Sequence, residues 1–169
     1  MNFQDAEHLR AERFGQHGEF LRDSQRLEIY SVDSIDPSIN PEEPRNEQEF
    51  HGFRIYGMTQ TDNKEDIAAI WSELHERIYA EPGSSVTYCF LPRHAIRAFH
   101  GDSYRDYLIC FECNHLYVYD DRDSKNHERI GLERVSGALK LNELLDKANI
   151  HREQTETTSE QVDMIDRAR

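Results

Sequence analysis

Five side chains able to hold a soft metal or act as a nucleophile or base fall within 27 residues: Cys89, His94, Cys110, Cys113 and His115. The chain has no other cysteine. Cys110-Phe-Glu-Cys113 is a C-x-x-C, a spacing that on a turn supplies two thiolates to one metal, and zinc asks for four such ligands in a tetrahedron. Cys89, His94, Cys110 and Cys113 are therefore the candidate metal set, and zinc is the cofactor they would take. One feature opposes it. Cys110 lies inside a segment that reads as a strand, where its side chain points away from that of Cys113, so a metal site needs the strand to end or kink there. The bland alternative is that Cys89 and Cys110 are small core hydrophobes. A redox-active C-x-x-C usually opens a helix, whose N-terminus lowers the thiol pKa. Here the motif ends a strand, which argues against redox chemistry. A cysteine–histidine nucleophile is open to the same residues. No P-loop, G-x-G-x-x-G or H-E-x-x-H accompanies it.

These residues need strands to position them. Four are legible, at 86–91, 95–100, 105–112 and 116–119, with a Gly-Asp-Ser turn at 101–103 joining the second to the third. Pairing symmetric about residues 102 and 103 sets Ile96 opposite Ile109, His94 near Phe111 and Pro92 near Cys113. The Pro92-Arg93-His94 corner then meets the end of the C-x-x-C segment at one edge of the sheet. One face carries His94, Ile96, Ala98, Tyr107, Ile109, Phe111 and Cys113 and is expected to face the core. The other carries Arg93, Arg97, Phe99, Asp106, Leu108, Cys110 and Glu112. Arg93 is expected to pair with Glu112, and Arg97 with either Glu112 or Asp106. Such pairs pin a register, while a free arginine holds a carboxylate or phosphate. Arg93, His94, Arg97 and Glu112 are the candidate binding residues, with structural pairing favoured over ligand binding.

The rest of the chain supplies the frame. Residues 27–32 and 50–59 read as strands, the latter with Gly52 and Gly57 marking a bulge or a close approach of another backbone. The stretch 63–80 reads as an amphipathic helix, with Ile67, Ile70, Trp71, Leu74 and Ile78 on its inner stripe and Asp62 and Glu65 as a capping box. Trp71 is read as a core anchor. Residues 33–46, with three prolines, read as an extended polar loop, and 120–128 as a charged turn or loop before a short strand at 129–135. A second helix closes the domain at 136–149. Three regions are expected: an N-terminal helical arm over 1–26, an α+β domain over 27–150, and a polar C-terminal tail over 151–169, which carries too little apolar mass to order itself.

Composition limits the function. The chain has 169 residues, 33 acidic against 20 basic, for a formal net charge of −13. Phosphate backbones repel such a field, so nucleic acid is not expected as a partner. An acidic surface favours a basic partner and speeds its arrival. No run approaches the roughly 18–20 apolar residues of a membrane span, and no apolar h-region stands near residue 1. A membrane is therefore not expected as a partner, and the expected location is the reducing cytoplasm.

Cys89-Phe-Leu-Pro-Arg-His-Ala-Ile-Arg97, a Gly-Asp turn, then Asp106-Tyr-Leu-Ile-Cys-Phe-Glu-Cys113 resembles a family of small uncharacterised bacterial proteins with the pattern CFxPRHxIR…DxxICFxC. The Phe50-His-Gly-Phe53 segment and the closing leucine helix are similar too, so the resemblance spans about residues 27–150. It implies that Cys89, Pro92, Arg93, His94, Arg97, Asp106, Cys110 and Cys113 form a shared signature. It implies no activity.

The expected fold is α+β: an antiparallel β-sheet of about five to seven strands, one long amphipathic helix packed on it, and a C-terminal helix. The leading function is a non-enzymatic acidic protein-interaction module, of inhibitor or immunity type, binding a basic partner, with the Cys/His corner as a structural lock. The alternative is a zinc-binding protein, or a small enzyme or ligand binder, that uses the Arg93-His94/Cys110-Cys113 corner.

Overall fold

Seven segments of alternating side chains pair edge to edge into one antiparallel sheet. They are β1 (Arg26–Val32), β2 (Glu49–Phe50), β3 (Phe53–Thr61), β4 (His94–His100), β5 (Ser103–Cys110), β6 (His115–Asp120) and β7 (Asp123–Gly131), in the spatial order β2-β3-β1-β4-β5-β6-β7. Three helices accompany them: α1 (Phe3–Arg22), α2 (Lys64–His75) and α3 (Leu139–Lys147). The computed structural model describes residues 3–35, 48–78, 90–133 and 138–153. Cys89, most of the strand expected at 86–91, the acidic stretch 36–47 and the tail from 154 onward lie outside them.

All three helices cover one face of the sheet. There Leu27, Ile29, Ile96, Ala98, Tyr107, Ile109, Leu116 and Val118 meet Phe14 and Leu21 of α1, Ile67, Ile70 and Leu74 of α2, and Leu141 and Leu145 of α3. Each fully buried Leu or Ile here contributes about 1.5–3 kcal/mol. The opposite face carries a smaller cluster of Tyr30, Val32, Phe50, Ala95 and Leu108, with Phe53, Phe90, Tyr117 and Tyr119 packed against it. The fold is thus α+β with a seven-stranded antiparallel sheet. No helix among the described residues is long and apolar enough to cross a membrane.

The β4–β5 hairpin turns on Gly101 and Asp102, so Ile96 faces Tyr107 and His94 faces Ile109. The register differs from the expected one by two residues. Side chains alternate with a period of two, so the shift leaves the paired residues of β4 and β5 on the faces assigned to them. The reason is Gly101, whose φ of 56° fits a tighter, two-residue turn.

Several boundaries also differ. Residues 50–59 are interrupted at His51 and Gly52, with φ of 47° and 88°. Two successive positive φ values close a two-residue hairpin between β2 and β3, so Gly52 marks a turn rather than a bulge. Gly57 stands at a register shift between β1 and β3, and what approaches it closely is a side chain rather than a backbone: a Cβ there would lie 2.7 Å from Ile150 Cγ2. The cap of α2 is Asn63, not Asp62, and its side chain accepts from the N–H groups of Glu65 at 2.8 Å and Asp66 at 3.3 Å. The helix ends at His75, after which Ile78 bridges to Leu132 and the chain leaves the helical path. Trp71 packs against the core, as expected, and its ring stacks on His75.

β7 begins at Asp123, inside the stretch expected to be a loop. Its seven residues from Asp123 to Arg129 are all exposed, so no apolar alternation announces it, and only pairing with β6 makes it a strand. Val118 faces Glu128 while Asp120 faces Asp123, so four residues of β7 are bulged against Tyr119. A bulge and charged side chains both blunt an edge strand.

α1 (Phe3–Arg22) occupies most of the helical arm expected over 1–26, with a non-helical break at Gly15. Phe14 and Leu21 are fully buried, and Tyr107 Oη donates to the His17 carbonyl at 2.6 Å.

Candidate functional site

β5 stops at Cys110 because the chain turns over Phe111–Asn114 and returns as β6, with Cys110 opposite His115. Asn114 takes a φ of 57°, a conformation asparagine tolerates better than most residues. The turn brings the two cysteines together as a disulfide, with Cα atoms 5.2 Å apart. This corrects the expectation that their side chains diverge, which held only if the strand ran on past Cys110. Two backbone N–H groups point at the sulfurs. Cys113 N–H donates to Cys110 Sγ at 3.0 Å, and Leu91 N–H donates to Cys113 Sγ at 3.2 Å. Both cysteines are buried.

The two ends converge as expected. Arg93 Nη1 lies 2.6 Å from Glu112 Oε1 in the turn, and its Nε lies 3.4 Å from Glu153 Oε2. Glu153 also accepts from Ser34 N–H at 3.0 Å, so Arg93 joins the turn to the C-terminal segment and to the end of β1. The His94 ring meets the Phe111 ring edge-on with centroids 5.5 Å apart.

His94, however, projects to the helix side, where its Nε2 lies 2.7 Å from Asn142 Oδ1 of α3. An amide oxygen only accepts, so Nε2 carries the proton. Nδ1 is buried without a hydrogen-bond partner. Burial pushes the His94 pKa down to about 4, and the cations of Arg152 and Arg93 add to that while the Asn142 bond opposes it. His94 is thus a neutral imidazole on the opposite face of the sheet from Cys110. Cys89 lies outside the described residues, and among those described no three His, Cys, Asp or Glu side chains converge as a metal-binding group.

Arg97 goes to Asp106 rather than Glu112. The two are directly opposite across β4 and β5, and the pair is bidentate, with Nε to Oδ1 at 2.7 Å and Nη2 to Oδ2 at 2.8 Å. That bonding raises the arginine pKa. Asp106 is fully buried and takes a third partner, His51 Nε2, at 2.7 Å from Oδ2. A carboxylate only accepts, so here too Nε2 carries a proton. His51 stacks on Tyr119 with centroids 3.7 Å apart. Burial pushes the Tyr119 hydroxyl up to about 12. Rings continue along this face through His127, Tyr117 and Phe90 to His115. His127 is lowered by burial and by His51 beside it. His115 Nδ1 lies 2.8 Å from the Cys113 carbonyl and must donate to it. The Arg129 Nη2 contact with that nitrogen at 3.5 Å is then a meeting of two donors, not a hydrogen bond. Burial lowers the His115 pKa, with Arg129 acting in the same direction.

Sequence reasoning assigned no role to His51, Asn142 or Glu153. The signal for His51 was the His-Gly pair between phenylalanines, which reads as a hairpin turn presenting a polar ring. Asn142 and Glu153 carry no local signal, because their partners lie 48 and 60 residues away along the chain. A carboxylate that orients an imidazole is the geometry of a general base. Among the described residues no hydroxyl or thiol hydrogen-bonds to His51.

No protein-family model, no curated protein and no solved structure matches this chain.

Proposed function

We propose that this chain is a non-catalytic acidic interaction module, of inhibitor or immunity type, that binds a basic protein, with the cysteine corner as its structural lock. The observation that carries this reading is the internal engagement of the corner's reactive side chains. Arg93 holds Glu112, Cys110 holds Cys113, His94 bonds Asn142, and Arg97 bonds Asp106. A corner built to work on a substrate would leave some of these groups turned outward. The acidic surplus of the chain, a net charge of −13, supports a basic partner. An open groove of about 580 Å³ between α2 and α3 supports the same reading. Glu73, Glu76 and Glu143 outnumber Arg77 and Lys140 in its lining, beside Leu139, which is 73% exposed. An apolar side chain flanked by lysine or arginine would suit it.

Affinity capture on the immobilised chain at low and at high ionic strength tests the proposal. A basic protein is expected at low salt, released as salt screens the attraction. Glu76→Lys with Glu143→Lys is expected to weaken its binding at least tenfold. Recovery of no protein at low salt, or binding indifferent to salt, would count against it.

A second reading moves the ligand site to His51, Asp106 and Arg97, where a buried carboxylate orients a half-buried imidazole. The zinc reading needs the disulfide to open, because a disulfide sulfur is not a thiolate ligand. Metal analysis of the reduced chain after equilibration with zinc tests it, and less than one zinc per chain removes it.

A further inference from the structure

We propose that Cys110 and Cys113 form a reversible dithiol–disulfide centre whose substrate is a dithiol reductant. This builds on the corner as a lock and adds that the lock is operated by redox state.

The position of the motif at a strand end speaks against redox chemistry only if a helix N-terminus is the sole means of stabilising a thiolate. What a helix N-terminus offers is a backbone N–H aimed at sulfur. The turn offers the same. Cys113 N–H points at Cys110 Sγ from 3.0 Å, and Leu91 N–H points at Cys113 Sγ from 3.2 Å. Each sulfur therefore has a donor in place for the charge it would carry on release.

The bond can open without unfolding the chain. Its cysteines are three residues apart, at a hairpin end already closed by the Cys110–His115 pair. Chain-closure entropy grows with the loop enclosed, so little of this bond's worth is global stability. Both sulfurs are buried, so exchange requires the turn to open and is expected to be slow. The way in runs past Leu91, which is 36% exposed and sits in a stretch, 90–93, without regular secondary structure.

The chemistry balances. A thiolate of the reductant attacks one sulfur, the Cys110–Cys113 bond breaks, and the other sulfur leaves as a thiolate. The second thiol of the reductant then displaces the mixed disulfide. Two electrons and two protons pass to the chain, giving two thiols, and the dithiol becomes a disulfide. The turn thus released holds Arg93 through Glu112, and accepts Leu132 N–H at the Asn114 carbonyl at 2.7 Å. Reduction is expected to loosen both.

The test is a titration of the full chain in mixtures of reduced and oxidised dithiothreitol, quenched with an alkylating reagent and weighed by mass spectrometry. Two alkyl groups are expected to appear together with a two-electron slope, to map to Cys110 and Cys113, and to vanish again when oxidised dithiothreitol is restored. Cys89→Ser is expected to leave the couple unchanged. A chain that gains no alkyl groups in excess reductant, that fails to re-form the bond, or whose couple disappears with Cys89→Ser, overturns the proposal. Melting of Cys110→Ala with Cys113→Ala tests the lock separately, with a fall of about 2–4 °C expected from a loss of about 1 kcal/mol. If the titration behaves as expected and that variant melts like the parent, the redox centre stands and the lock reading falls.

Discussion

His94 is where burial and titration meet. Its ring is neutral in the fold, with Nε2 on Asn142, Nδ1 unbonded, and Arg93 and Arg152 adding positive charge nearby. Its folded pKa is depressed to about 4 from the ordinary 6.5 of a free imidazole. The unfolded chain therefore binds a proton first as pH falls. The stability that neutral His94 confers is fully present above pH 6.5 and is lost as pH drops towards 4, by about 3 kcal/mol in all. Urea unfolding from pH 7 to 4 should show that loss, and His94→Gln should flatten much of it. A slope unchanged in the variant would rule His94 out as its source. Asp106 is a second fully buried residue with polar partners on two segments of the chain. Asp106→Asn removes the charge that Arg97 and His51 share, and should cost about 3 kcal/mol by the same assay. Circular dichroism should remain native-like if the residue serves only as a register pin.

Among the elements, α3 depends on a neighbour for its start. Its own N-cap, Ala138, has no side chain able to bond the first turn. Glu73 of α2 supplies both carboxylate oxygens instead, accepting Leu139 N–H at 2.6 Å and Lys140 N–H at 3.0 Å. The negative charge also sits at the positive end of the helix dipole. Glu73→Ala should cost about 1–2 kcal/mol, and hydrogen exchange should quicken first at Leu139 and Lys140. Equal protection in the variant would mean water serves those groups as well. The leucine stripe of α3 was readable in advance, but the means of its capping was not, because donor and acceptor lie 66 residues apart. The same holds for β7, which has no pattern of its own and exists because β6 offers it a ladder.

Across the whole molecule, α1 is tied to the sheet by more than contact. Tyr107, fully buried in the middle of β5, donates to the His17 carbonyl from beneath. Tyr107→Phe removes that hydrogen bond and should cost about 1 kcal/mol. Limited proteolysis should then cut earlier within α1, and unchanged cleavage would show the helix held by Phe14 and Leu21 alone. The sequence by itself determined the class, the two faces of the central hairpin, and the meeting of Arg93 with Glu112. Those follow from side-chain alternation and from turn residues, which are local. Only the tertiary structure decided that His94 turns to α3, that His51 joins Arg97 on Asp106, and that Cys110 and Cys113 face each other. The first two depend on partners far away in the chain. The last depends on the turn at Phe111–Asn114, where the left-handed backbone of Asn114 helps end the strand two residues sooner than its composition suggests.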